Sequence, residues 1–150
     1  MVLKALAHDC DGPDVYFAGN IDPAALADVL KRCTPEHTRI IITSKSFTTA
    51  ETLMNAAMAR DWLIKAGVDA DAAFIAVTAA PDKARAYGIE GDKIFSFSDG
   101  IGGRYSVWSA VGLPVMIAIG ADKFSSFLGG AHAMDQHVMA APFADNIPVI

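Results

Sequence analysis

The sequence lacks most of the features that direct a protein to a membrane, a nucleic acid or an oxidising compartment. Its apolar runs are broken by charged residues or glycine before they reach the length that crosses a bilayer. It has no cluster of lysine or arginine, and its formal net charge is -5 at pH 7, so we expect neither a membrane nor a nucleic-acid partner. Its two cysteines, Cys10 and Cys33, lack metal-ligand spacing and are expected to be free thiols.

Signals for secretion and for nucleotide binding are also missing. The apolar run at the N-terminus is too short, and too soon followed by acidic residues, for a secretory signal, which predicts a cytoplasmic protein. There is no Gly-x4-Gly-Lys-Ser/Thr motif, and no Gly-x-Gly-x-x-Gly follows the first predicted strand. Nucleotide binding is therefore disfavoured.

What the sequence does contain is an alternation of strand-like and helix-like segments. At 150 residues and 53% hydrophobic content it fits one domain with a single core. Short apolar or β-branched runs predict strands at 15–18, 39–43, 73–78 and 93–97. Apolar residues at helical spacing predict helices at 24–30, 48–66, 82–87, 111–119, 123–128 and 131–139. The alternation predicts an α/β fold, a three-layer α/β/α sandwich with a mainly parallel sheet.

A hydroxyl-rich loop, Ser44-Lys45-Ser46-Phe47-Thr48-Thr49, follows the second predicted strand and leads into a long helix. Ligands of parallel sheets bind at the C-terminal ends of strands, and the free N–H groups of a helix start favour a phosphate. The loop is therefore a candidate phosphate site. A structural alternative stays open, because Thr48 and Glu51 fit a capping box, although this leaves Ser44, Ser46 and Thr49 unexplained.

A glycine-flanked arginine follows the fourth predicted strand, in Gly100-Ile101-Gly102-Gly103-Arg104-Tyr105-Ser106. A guanidinium offers a planar fork of donors to an anion, and glycine allows a ligand to approach closely. The structural alternative is that Arg104 bonds to Asp99 in an ion pair or to a C-terminal carbonyl. His132 and His137 lie five apart on a predicted helix, too far around it to share a metal ion. We therefore expect no metal site at these histidines, and the sequence as a whole implies no metal and no cofactor.

These two blocks and Gly129-Gly130-Ala131-His132-Ala133-Met134-Asp135-Gln136-His137 occur in the order seen in glucose-6-phosphate isomerases. The chain closely resembles that family from about Val15 to its C-terminus. The resemblance implies that residues 1–150 form one sugar isomerase (SIS) domain of flavodoxin-like strand order. Family enzymes serve glycolysis and gluconeogenesis, form homodimers and draw their active sites from two SIS domains. They are several times larger, so the chain is expected to be a fragment of such an enzyme.

The resemblance also assigns the substrate phosphate to the hydroxyl-rich loop. The residues matching Ser44, Ser46 and Thr49 donate through their hydroxyls, and the residue matching Lys45 through its backbone. Ser46 stands where threonine is usual, which keeps the hydroxyl.

For the second loop, the resemblance implies that Arg104 stabilises the enediolate formed as a proton moves between C1 and C2 of the sugar. The backbone at Gly103 lines the same site. The reaction also needs a general base, and the three glutamates Glu36, Glu51 and Glu90 do not match the family's base motif. The chain is thus expected to be inactive alone. An alternative is a regulatory SIS module that binds a sugar phosphate without catalysis.

Overall fold

The computed structural model describes residues 2–148, which divide into two compact units. One unit is Val15–Gly112, and the other joins the residues up to Asp14 with those from Leu113 onward. In chain order the helices and strands are α1 (Val2–Ala5), α2 (Pro23–Leu30), β1 (Ile40–Thr43), α3 (Ala50–Lys65), α4 (Ala70–Ala73), β2 (Phe74–Thr78), α5 (Pro81–Ala86), β3 (Ile94–Ser96), α6 (Leu113–Ile119) and α7 (Ala121–Ala140). Short 3-10 turns lie at Ala7–Asp9, Pro35–His37, Gly91–Lys93, Gly103–Trp108, Ala110–Gly112 and Phe143–Asp145.

The sheet of the Val15–Gly112 unit is parallel and follows chain order, β1, β2, β3. Its register pairs Ile40 with Phe74 and Ala76 with Ile94. Both connections step in the same direction, so right-handed crossovers place α3 and α5 on one face of the sheet. The α/β class and the parallel sheet are confirmed. The described strands do not include a point at which a flavodoxin-like order would reverse.

The core of this unit lies between that face and the two helices. Alternate strand residues Ile42, Phe74 and Ala76 pack in one cluster with Leu63 of α3 and Ala84 of α5. On the opposite face, Val77 has no exposed surface. Both faces of the sheet are therefore covered, as a layered α/β fold requires.

Helix α3 ends in a Schellman motif that fixes the start of the next connection. Gly67 has a φ of 77°, a left-handed conformation that glycine adopts without a Cβ penalty. Val68 donates to the carbonyl of Leu63 at 3.0 Å, and Gly67 donates to Ile64 at 2.9 Å. The chain therefore turns sharply back toward α4 and β2.

The strand predicted at 15–18 is wrong, because the structure assigns no strand to those residues. The polar groups of this extended segment find partners outside a sheet. Asn55 of α3, which is buried, donates its amide to the carbonyl of Ala18 at 3.2 Å and to that of Asn20 at 2.8 Å. A side chain here does what a neighbouring strand would do in a ladder.

The break predicted between 128 and 131 is also wrong, since α7 runs without interruption through Gly129 and Gly130. Neither glycine has a positive φ. Each costs about 1 kcal/mol relative to alanine within a helix. That cost weakens a helix of 20 residues without ending it.

The second unit is held by contacts between its N-terminal segment and its helices. Gly12 donates to the carbonyl of Ala118 at 3.0 Å. Lys123 of α7 donates to the Asp9 carbonyl at 3.0 Å and lies 3.1 Å from the Asp11 carboxylate. These bonds join the two stretches of chain that form the unit.

Leu63→Ala tests the packing of α3 on the sheet. Leu63 has no exposed surface, so we expect the substitution to lower the free energy of unfolding by about 2–5 kcal/mol. The neighbouring Ile64, 58% exposed, gives a matched control, and Ile64→Ala is expected to cost less than about 1 kcal/mol. Urea denaturation followed by circular dichroism measures both. Equal losses would contradict the assigned helix face.

Candidate functional site

The loop Ser44–Thr49 connects β1 to α3 and is bonded to the end of the neighbouring strand. The Ser44 N–H donates to the carbonyl of Val77 at 3.1 Å. The Lys45 carbonyl accepts from the Ala79 N–H and from the Thr78 hydroxyl, both at 3.1 Å. These bonds hold the loop at the C-terminal edge of the sheet, where ligands of parallel sheets bind.

The loop's four hydroxyls form two pairs. Ser44 Oγ lies 3.1 Å from Thr49 Oγ1, and Ser46 Oγ lies 2.7 Å from Thr48 Oγ1. Each pair uses one of its two protons internally and keeps one to donate elsewhere. Ser44 and Thr49 therefore contact each other, while Ser46 contacts Thr48. Hydroxyls with a proton left to donate suit an acceptor-rich anion, and the assignment of Ser44, Ser46 and Thr49 to a phosphate stays a prediction.

The predicted capping box is wrong. The residue that precedes α3 is Thr49, not Thr48, and within the described residues its side chain makes no capping hydrogen bond. Thr48 instead bonds to Ser46. The first N–H groups of α3 therefore receive no side-chain cap from Thr49, and these groups attract anions.

Phe47 shapes the centre of the loop. Its φ is 51°, an unusual left-handed conformation for a bulky residue, which costs on the order of 1–3 kcal/mol. Its buried ring meets Tyr87 edge-on, with centroids 5.8 Å apart. The Tyr87 ring in turn lies 5.2 Å from the Arg60 guanidinium of α3. Packing therefore holds the loop in a shape that its own residues disfavour.

Arg60 is itself held by an ion pair with Asp71. The hydrogen bond to Asp71 raises the pKa of the Arg60 guanidinium above its ordinary value. The guanidinium also lies 4.8 Å from the ring of Phe74. A fixed cation thus backs the aromatic pair beneath the loop.

The glycine-rich loop after β3 lies beside the first loop. Lys45 Nζ donates to the carbonyl of Asp99, and a Cβ placed on Gly102 would lie 3.9 Å from that Nζ. Gly103 follows with a φ of 59°, which favours glycine. It begins the 3-10 turn Gly103–Trp108, in which Ser106 Oγ donates to the Gly103 carbonyl at 2.7 Å.

Arg104 has its backbone in that 3-10 turn, while its side chain lies outside the described part of the structure. The turn directly follows Gly102, the residue that lies near Lys45 Nζ. The catalytic assignment of Arg104 and its structural alternative, a bond to Asp99 or to a C-terminal carbonyl, both remain predictions.

Lys83 is a residue that sequence reasoning missed. It lies on α5, and its Nζ donates to the Ser46 carbonyl at 3.3 Å. The signal available in the sequence was positional, because α5 follows β2, the strand next to β1. Two lysines, Lys45 and Lys83, thus lie at the loop.

The described residues contain neither a metal-ligand cluster nor a membrane-spanning helix. Among residues 2–148, no group of three or more His, Cys, Asp and Glu side chains is arranged to hold a metal ion. His137 Nε2 accepts a hydrogen bond from the Ile147 N–H at 3.1 Å. No helix in the described range is both long and apolar enough to cross a bilayer.

Comparison with known proteins decides the family. A sequence model of phosphoglucose isomerase matches residues 1–150. The chain belongs to the phosphoglucose isomerase family. It is 48% identical over 150 residues to the glucose-6-phosphate isomerase of Ruegeria pomeroyi and 53% identical over 152 residues to that of Agrobacterium fabrum. In both cases all of this chain aligns, and it spans 28% of the relative's length.

Solved structures agree with this family assignment. The crystal structure of a glucose-6-phosphate isomerase from Chlamydia trachomatis superposes with a TM-score of 0.87 at 33% identity, covering 98% of this chain and 29% of that one. A hypothetical protein from Thermus thermophilus gives a TM-score of 0.74 at 30% identity, covering 89% of this chain and 32% of that one. The predicted phosphoglucose isomerase resemblance and the α/β fold class are confirmed.

Proposed function

We propose that this chain supplies the phosphate-binding loop and the catalytic arginine of a glucose-6-phosphate isomerase. The substrates are glucose 6-phosphate and fructose 6-phosphate, interconverted through an enediolate. In this proposal residues 1–150 are one SIS domain of a larger, homodimeric and cytoplasmic enzyme that acts in glycolysis and gluconeogenesis. Membership of the family and the contact between the two loops support it.

The first loop holds the 6-phosphate. Ser44, Ser46 and Thr49 donate their hydroxyl protons to phosphate oxygens in place of the bonds that pair Ser44 with Thr49 and Ser46 with Thr48, and the backbone at Lys45 donates as well. The start of α3 adds the positive end of its dipole. This anchors one end of the sugar at the C-terminal edge of the sheet.

The second loop acts at the other end of the substrate. Removal of a proton from C1 or C2 leaves negative charge on the enediolate oxygens, and a preorganised cation aimed at that charge lowers the barrier. We assign this role to Arg104, with the Gly103 backbone lining the site. The observation that carries the proposal is the Lys45 to Asp99 hydrogen bond, since it joins the two loops within one unit.

A second candidate function is a sugar-phosphate-binding module without catalysis. The positions of Glu36 and Glu90 favour it, because neither residue is placed near the loops to act as a general base. Glu36 and Glu90 precede β1 and β3, so they lie toward the strand starts, away from the loops, and Glu90 pairs with Lys93 at 2.9 Å. Glu51, in the first turn of α3, is the glutamate nearest the loops along the chain. Assays for turnover and for binding separate the two functions.

Ser44→Ala combined with Thr49→Ala tests the phosphate loop. The pair lies 3.1 Å apart, and removing both hydroxyls is expected to weaken fructose 6-phosphate affinity by about 1–3 kcal/mol, roughly 5- to 150-fold. Isothermal titration calorimetry on the 150-residue chain measures the change.

Thr38→Ala with Ser126→Ala is the matched control, because these hydroxyls bond to the nearby carbonyls of Thr34 and Asp122. The control is expected to bind like the wild type. If the double variant at the loop binds equally well, the phosphate assignment is wrong.

A further inference from the structure

Helix α5 contacts two consecutive residues of the phosphate loop. Lys83 donates from its Nζ to the carbonyl of Ser46 at 3.3 Å. Tyr87 directly follows the helix, and its N–H donates to the Lys83 carbonyl at 3.0 Å. Its ring packs against Phe47. Lys83 and Tyr87 are about one helical turn apart, and they contact adjacent residues of the loop.

Helix α5 is packed into the core next to Lys83. Ala84, next to Lys83, has no exposed surface and belongs to the core cluster. Ile89 donates to the Ala84 carbonyl at 3.1 Å, closing the helix end over the sheet. The Lys83 stem therefore starts from a fixed point even though its side chain is exposed.

Lys83 bonds to the loop at the residue before Phe47, where the backbone is strained. The Ser46 carbonyl belongs to the peptide that enters Phe47, the residue with a φ of 51°. An ammonium on that carbonyl favours the peptide orientation that Phe47 requires. It also leaves the Ser46 hydroxyl free to bond with Thr48 and, in the proposed function, with the ligand.

We propose that Lys83 is a positioning residue of the phosphate loop, acting through the Ser46 carbonyl rather than on the ligand. The inference rests on the proposed function of the loop as a phosphate site. By this account Lys83 sets the affinity for phosphate by holding the Ser46–Phe47 peptide in place before the ligand arrives.

Lys83→Met removes the donor and keeps the apolar stem. Lys65→Met is the matched control, since it makes the same charge change at the far end of α3, about 20 Å along the helix from the loop. Lys83→Arg tests rescue. Calorimetry with inorganic phosphate and with fructose 6-phosphate gives affinities, and the ¹³C′ shift of Ser46 with the amide shift of Phe47 reports the ligand-free loop.

We expect Lys83→Met to shift the Ser46 and Phe47 signals without ligand and to weaken both affinities about 3- to 10-fold. Lys83→Arg should restore both, and Lys65→Met should change neither. Weakened affinity with unchanged ligand-free signals would overturn the proposal, because Lys83 would then meet the anion directly. Unchanged affinity would also overturn it. If the wild type binds neither ligand, the phosphate site itself is wrong, and the Ser46 signal still shows whether Lys83 holds the loop.

Discussion

Arg104→Ala is expected to lower kcat by about 10²- to 10³-fold, in a protein of the relatives' full length that contains this chain. The reason is that charge on the enediolate develops only as the proton moves, so an interaction with that charge contributes mainly in the transition state. KM should change little, and kcat/KM should fall in parallel with kcat. A coupled dehydrogenase assay with fructose 6-phosphate measures all three.

Two further variants make this test specific. Arg104→Lys keeps a charge but loses the planar fork, so we expect only partial recovery of kcat. Arg85→Ala removes an arginine whose partner is Asp82, at 2.6 Å on the same short helix, and should leave kcat near that of the wild type. The melting temperature of Arg104→Ala should stay close to that of the wild type. If Arg104→Ala instead unfolds the protein while the folded fraction keeps a normal kcat, the arginine is a structural ion-pair partner.

The second large effect concerns the 150-residue chain by itself. Its turnover of fructose 6-phosphate is expected to lie roughly 10²- to 10⁴-fold below that of ordinary isomerases. This is the usual contribution of general acid–base catalysis. The loops would still place the phosphate and stabilise some charge. Because Glu36, Glu51 and Glu90 do not match the family's base motif, we expect the proton at C1 or C2 to find no acceptor in this chain.

The same assay, with long incubation and high enzyme concentration, measures this residual turnover. The matched control is binding, because the chain is expected to retain affinity for fructose 6-phosphate while failing to convert it. Turnover within tenfold of ordinary isomerases would contradict the expectation that this chain lacks a general base. Loss of binding together with turnover would agree with the missing base but contradict the assignment of the phosphate to the loop Ser44–Thr49.

The sequence predicted those parts of the fold that depend on local pattern. Three of the four predicted strands form, and both candidate loops follow strands at the same edge of the sheet. This succeeded because β-branched runs and helical spacing reflect burial directly. The segment 15–18 failed because four apolar residues look alike in a strand and in an extended segment held by Asn55.

The details of the loop depend on distant parts of the chain, which a local pattern does not contain. Lys83 and Ser46 are 37 residues apart and meet only because β2 pairs with β1 in a definite register. The conformation of Phe47 could not be predicted either, because left-handed positions are usually occupied by glycine and a phenylalanine gives no signal of one. Thr49, rather than Thr48, precedes α3, a difference of one residue that a sequence pattern rarely resolves.

The left-handed conformation of Phe47 is stabilised only after the surrounding unit has folded. Its ring rests on Tyr87, whose position depends on a finished sheet and helix, so in the unfolded chain nothing favours the loop's shape. On the proposed function, recognition of the anion depends on the whole folded unit and not only on the short peptide that touches the ligand. On that proposal, a phosphate ester binds the folded state and not the unfolded chain, so its binding would add to the stability of the fold.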